Sequence, residues 1–232
     1  HLMVLYAVAR LGAVILPLDW RWTGPEKQRV AEFFEVALVV VEAGAELSGV
    51  ASIEVDGAWH TAIAKRQSDA PCVIGGSRPV VLSLSSGTTG RPKGVVLSHR
   101  NLSANASSCQ QAGSFGPQDS FLCLLPFFHT YALTGTILLP LLNGSKMVLV
   151  ERFHPLKVLE LIQEWGITCF LAIPSMYRVL AGTDAEFDVS SLRFPISGGE
   201  PMPVAVAEAF AERFGVDIFE GYGQTEAAPV VS

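Results

Sequence analysis

Residues 146–180 read KMVLVERFHPLKVLELIQEWGITCFLAIPSMYRVL, and this stretch decides the fold. Lys146–Val150 and Cys169–Ile173 are apolar runs of strand length, and Pro155–Trp165 and Ser175–Leu180 carry helical patterns between and after them. Strand and helix keep alternating on either side. Upstream, Phe121–Leu125 is a strand and Leu133–Leu142 a helix; downstream come strand Arg193–Ser197, helix Val204–Phe214 and strand Ile218–Tyr222. In the first half of the chain, Met3–Gly12 reads as a helix ending at a glycine and Ala13–Leu18 as a short apolar strand. Thr23 caps a helix that has Pro25 just inside and runs to about Phe34. Ala37–Val41, Val80–Ser85 and Val95–Leu97 are strands, and Ser98 caps a helix to about Gln111. The alternation predicts an α/β fold with largely parallel sheets sandwiched by helices. The polar, Gly- and Pro-containing stretch Gly113–Asp119 is the best internal boundary. It divides the chain into two βα subdomains, residues 1–112 and 113–232.

Composition narrows the function. The chain has 232 residues, of which 50% are apolar and 16% charged, and a formal net charge of −6. Charge is low against the roughly 25% of ordinary soluble domains, which excludes disorder for the bulk of the chain. An acidic, weakly charged surface excludes general nucleic-acid binding but not one local nucleotide site. The four cysteines, Cys72, Cys109, Cys123 and Cys169, stand at least fourteen residues apart, so there is no CxxC metal or redox pair. They read as buried free thiols in a reducing, cytoplasmic setting. Arg10 interrupts the apolar N-terminal run and no basic segment precedes it, which argues against a signal peptide. Pro126, His129 and Pro140 break the charge-poor run Ser120–Asn143, which argues against a transmembrane helix.

Three clusters carry chemistry. The first follows strand Val80–Ser85: Ser85, Ser86, Gly87, Thr88, Thr89, Gly90, Arg91, Pro92, Lys93 and Gly94. Glycines let the backbone approach an anion, hydroxyls donate to it, and Lys93 supplies a point charge, a composition suited to polyphosphate. It is not a Walker A loop, because Gly94 rather than Ser or Thr follows the lysine. A flexible hairpin is the alternative. The second cluster, Pro126–Leu133, places His129 among aromatics after an apolar strand; a packed, hydrogen-bonded histidine and the wall of an apolar pocket are both open readings. The third is Gly221-Tyr222-Gly223-Gln224-Thr225-Glu226. Its aromatic face can stack on a base, and its carboxylate suits a hard divalent cation. Upstream, Ser197-Gly198-Gly199-Glu200-Pro201 ends another strand, either as a plain strand-to-helix turn or at the sheet edge where α/β proteins place ligands.

In this order and spacing the segments resemble the adenylate-forming superfamily of acyl-CoA synthetases, peptide-synthetase adenylation domains and luciferases, over nearly the whole chain. SSGTTGRPKG is similar to the family's phosphate loop, GYGQTE to its adenine and magnesium motif, and PFFHTYAL to its acyl-pocket motif. The resemblance implies ATP and Mg2+ as cofactors and coenzyme A as co-substrate. A carboxylate attacks the α-phosphorus of ATP, and a thiol then displaces AMP. It also implies roles. Ser85, Ser86, Gly87 and Gly90 shape the phosphate loop, and Thr88, Thr89 and Lys93 hold the β- and γ-phosphates. Gly199, Glu200 and Pro201 line the adenine slot, and Tyr222 stacks on adenine beside Gly223 and Gln224. Thr225 contacts the α-phosphate, Glu226 binds magnesium, and His129 separates the acyl tunnel from the reacting carboxylate. The form of the motifs is closest to bacterial fatty acyl-CoA ligases, and Ala132, Gly135 and Ala172 are expected to leave room for an alkyl chain. An aryl-acid ligase, a carrier-protein-loading adenylation domain and a non-catalytic nucleotide-binding fragment are the alternatives. The family's ribose-binding aspartate and the lysine of its mobile C-terminal domain have no counterpart before Ser232, so this stretch by itself is expected to have little ligase activity.

Overall fold

The computed structural model describes residues 2–42, 44–65, 74–85 and 93–232. The first half carries helices α1 (Leu2–Arg10) and α2 (Gly24–Phe33), strands β1 (Leu38–Val41) and β2 (Ala51–Glu54), and helix α3 (Gly57–Ala64). Strands β3 (Pro79–Ser85) and β4 (Lys93–Ser98) and helix α4 (His99–Gly113) follow. β1 and β2 pair in parallel, whereas β3 and β4 form an antiparallel hairpin with Ser85 opposite Lys93. That hairpin is the exception to the parallel arrangement expected from the alternation. Only seven residues separate the strands, too few for the crossover that parallel pairing needs.

Every strand of the larger sheet lies after residue 113. They are β5 (Ser120–Cys123), β6 (Lys146–Leu149), β7 (Cys169–Ala172), β8 (Phe194–Ser197) and β9 (Phe219–Glu220), all parallel, in the order β6-β5-β7-β8-β9. β5 and β7 are buried at every residue, as central strands covered on both faces must be. Side chains alternate between the faces. Leu122, Phe170 and Ala172 pack under α7 (Pro155–Trp165), α8 (Pro174–Ala181) and α9 (Val204–Phe214), through Leu159, Ile162, Tyr177, Leu180 and Phe210. Tyr177 is fully buried, and its hydroxyl donates to the Phe170 carbonyl at 2.8 Å. Phe121, Cys123, Cys169 and Leu171 face the other way, onto Phe115, Ala132 and Leu139.

That second face is covered by one continuous helical stretch: α5 (Thr130–Ala132), a π-helical turn at Leu133–Leu138, and α6 (Leu139–Asn143). The wider π turn leaves backbone groups to be satisfied from outside the helix. Burial pushes the Cys123 thiol up to about 12, so it stays protonated and donates to the Thr136 carbonyl at 3.1 Å. Leu133 and Ile137 on this stretch join Leu5, Val80, Val81, Leu97 and Leu102 in a cluster that ties the two halves of the chain together.

Ala13–Leu18 is not a strand. Only Ile15 pairs with Val81, donating to Val80 O and accepting from Leu82 N, both at 2.8 Å. Pro17 has no N–H for a ladder, and Asp19 then turns the chain. β2 and α3 went unread in the sequence because β2 has no buried face and α3 no buried residue. Among the described residues no helix is long and apolar enough to cross a membrane.

Candidate functional site

The carboxyl ends of β5, β7, β8 and β9 converge on one edge of the sheet, where parallel α/β folds hold ligands. β8 pairs with β9, so Gly199–Pro201 and Tyr222–Glu226 leave the sheet side by side. Gly199 has φ +88°, a left-handed conformation that suits glycine and turns the chain sharply after β8. Glu220, at the end of β9, accepts from Met202 N at 3.3 Å and pins this turn. Glu200, Pro201 and Tyr222 are exposed, the tyrosine at 61%, so its ring is open for stacking. The Ser197 hydroxyl beneath them is buried without a hydrogen-bond partner among the described residues.

Residues 222–232 fold back on themselves as a hairpin. Tyr222 N donates to Ser232 O at 2.8 Å, Val231 N to Tyr222 O at 2.9 Å, and Gln224 N to Pro229 O at 2.9 Å. Gly223 bridges Val230, and its Cα passes so close to the Pro229 carbonyl that any Cβ there would collide with it. The tip is a 3-10 turn, Thr225–Ala227, and it packs against β4, the strand that begins with Lys93. The structure thereby brings β4, the strand that leads out of the expected phosphate loop, against the turn that carries Thr225 and Glu226. Ser85 and Lys93 face each other at its mouth, whereas Ser86, Gly87, Thr88, Thr89 and Gly90 lie outside the described residues.

Two residues hold this hairpin that sequence reasoning missed. Asn105 on α4 donates to Val230 O at 2.8 Å and Ala227 O at 3.3 Å and accepts from Val230 N at 3.2 Å. Thr134 in the π turn donates to Ala228 O at 3.0 Å. Both act across more than ninety positions of sequence, which no local pattern reveals.

His129 caps α5 after β5, with its ring 4.3 Å from that of Phe128. His129 is exposed, yet the protein crowding it lowers its pKa, opposed by the negative Asp19 nearby. Asp19 is closed to solvent and held by Arg21, whose Nη2 donates at 2.6 Å and whose Nε donates at 2.9 Å; this holds its carboxyl below the ordinary range. The Arg21 guanidinium lies 5.8 Å from the centre of the Phe128 ring. Asp19–Arg21 is therefore an unforeseen support for the aromatic–histidine segment. The room expected beside Ala132, Gly135 and Ala172 is absent: all three are buried, and the side chain of Leu171 fills the space over Gly135.

Glu226 is exposed, and among the described residues no hydrogen bond or salt bridge engages its carboxylate. No cluster of three or more acidic, histidine or cysteine residues is present among them. A single free carboxylate fits Mg2+, which is held by one or two carboxylates together with a substrate's phosphate oxygens and water.

The sequence profile of the family described as AMP-binding enzyme matches residues 1–232. The chain is 32% identical to a feruloyl-CoA synthase from an Amycolatopsis species, over 100% of its own length and 48% of that protein. It is 36% identical to the long-chain-fatty-acid–CoA ligase of Bacillus subtilis, over 65% of its length and 28% of that protein. Among solved structures, ATP-bound MatB from Rhodopseudomonas palustris superposes with a TM-score of 0.90 at 26% identity, over 98% of this chain and 48% of that one. The chain thus spans about half the length of the relatives it matches from end to end.

Proposed function

The chain belongs to the AMP-binding enzyme family, and on that premise we propose that it acts as an ATP-dependent ligase joining a carboxylic acid to coenzyme A. The observation that carries this reading is the contact between β4, which leads out of the phosphate loop, and the Thr225–Ala227 turn. One hairpin brings hydroxyls and a lysine, and the other brings a carboxylate and an exposed aromatic ring.

The acid is ionised at neutral pH, so its carboxylate oxygen attacks the α-phosphorus of ATP without a general base. A bond from that oxygen to phosphorus forms, the α–β bridging bond breaks, and pyrophosphate leaves. The coenzyme A sulfur then attacks the acyl carbon, and AMP departs with the former carboxylate oxygen. Lys93, Thr88 and Thr89 hold the outer phosphates, and Thr225 steadies the α-phosphate where charge develops. Glu226 would hold Mg2+, which would supply charge neutralisation to the triphosphate. Tyr222 stacks on adenine against Gly199, Glu200 and Pro201, with Gly223 and Gln224 shaping the turn. His129, favoured as the neutral ring by its surroundings, lines the path of the acid without adding positive charge.

For the acid we take a fatty acid as the first reading, supported by the motif forms and the Bacillus subtilis relative. Aryl acids are the second reading, favoured by the feruloyl-CoA synthase match and by Leu171 filling the space over Gly135. ATP–pyrophosphate exchange by the complete gene product, run across alkyl and aryl acids, tests both. Exchange with any acid, followed by thioester formation on adding coenzyme A, is the expected result. No exchange with any acid overturns the ligase reading, and exchange confined to aryl acids replaces the first substrate reading by the second.

A further inference from the structure

We infer that Asn105 is a positioning residue for the nucleotide: its carboxamide sets the Thr225–Glu226 turn against β4, the strand that begins at Lys93. The inference rests on the ligase reading for what the turn does, but on geometry alone for what holds it. Asn105 engages both the N–H and the C=O of Val230, as a neighbouring strand residue would, and its second amide proton reaches Ala227 O. Both donors and one acceptor of the side chain are used on one backbone segment. Asp has the same shape but turns a carboxylate toward two carbonyls, and Ala offers nothing.

The position of Asn105 in the chain gives this grip its effect. α4 begins where β4 ends, capped by Ser98 and Asn101, and β4 begins at Lys93. The grip therefore runs from the phosphate-loop hairpin through a strand and two turns of helix to the far hairpin. The hairpin tip carries Thr225 and Glu226 on a 3-10 turn. Thr134 adds a hydrogen bond one residue along, at Ala228. A displacement of about 1 Å at such a site costs up to about a hundredfold in rate.

The test compares Asn105→Ala, Asn105→Asp and Thr134→Val with Asn101→Ala, which loosens the cap of the same helix without touching the hairpin. In the complete gene product, Asn105→Ala and Asn105→Asp are expected to lower kcat/KM for MgATP by roughly ten- to a hundredfold, with KM for the acid unchanged. Thr134→Val gives a smaller loss of the same kind. Asn101→Ala lowers Tm and leaves KM for MgATP alone. Hydrogen exchange supplies a readout independent of activity: amides of Gln224–Ala228 exchange at least tenfold faster in Asn105→Ala, while those of β5 and β7 do not. Unchanged exchange at 224–228, or an equal rise throughout the protein, overturns the inference. So does a matching loss of MgATP kinetics in Asn101→Ala. If the wild type fails to exchange pyrophosphate, the ligase reading falls, and the hydrogen-exchange pattern alone decides whether Asn105 holds the turn. Should Asn105→Ala not fold, Thr134→Val must show the local exchange increase or the inference fails.

Discussion

Asp119 and Glu226 stand at opposite ends of the same sheet and meet opposite surroundings. Asp119, at the amino end, is buried and accepts from Arg193 Nη1 at 2.7 Å, Thr168 Oγ1 at 2.8 Å and Gly116 N at 3.0 Å. Its own carbonyl accepts from Lys146 N, so one residue ties the starts of β5, β6, β7 and β8. Glu226, beyond the carboxyl end, is exposed and unpaired among the described residues. The lesson is a division of labour along the strands: at the amino end a carboxylate holds strands together, and at the carboxyl end a carboxylate stands free, as the proposed role of Glu226 requires.

That division predicts a crossover between two variants. Asp119→Ala should cost about 3 kcal/mol of stability, because it strands a half-buried threonine hydroxyl and a backbone amide while freeing Arg193. Urea unfolding measures it, and a loss below about 1 kcal/mol would remove the contrast. Glu226→Ala should do the reverse, leaving the urea midpoint near wild type while MgATP-dependent exchange drops about a hundredfold or more. Equal stability losses in the two variants would break the comparison. The smallest effect is expected at Asp19→Asn, which sharpens the contrast by testing a paired carboxylate on the ligand side. Arg21 lowers the Asp19 pKa below its ordinary 3.8, so the contribution of this pair is complete above that value. It disappears as pH falls through the lower folded value. The Tm deficit of Asp19→Asn should accordingly be present at pH 7 and shrink below pH 3.8. A deficit constant with pH would assign it to packing instead.

Local signals made α7 and α9 legible to their terminal residues, Pro155–Trp165 and Val204–Phe214, because a proline marks the start of each, a glycine follows the last residue and an apolar stripe lies between. The Thr23 and Ser98 caps were legible for the same reason, and both close as capping boxes. Tyr222, Thr225 and Glu226 stood out as residue types suited to nucleotide chemistry, and their neighbourhood with β4 follows from the fold. Nothing local encodes the Asp119–Arg193 pair, 74 positions apart, or the grip of Asn105 on Val230, 125 positions away. The alkyl room beside Gly135 failed for a related reason: a small residue can accept a ligand or a neighbour's side chain, and here Leu171 takes the space.

The π turn at Leu133–Leu138 has a consequence for chain length. Such a turn is one residue longer than the α-helical path it replaces. The extra residue is taken up within the turn, so removing one residue there lets the stretch wind as an ordinary α-helix over the same path, and Leu139 keeps its place on the Phe121–Leu171 face. The change falls inside the turn, on Thr134 and its hydrogen bond to Ala228. What the added residue supplies is thus the link to the far hairpin and not the packing of the helix beyond.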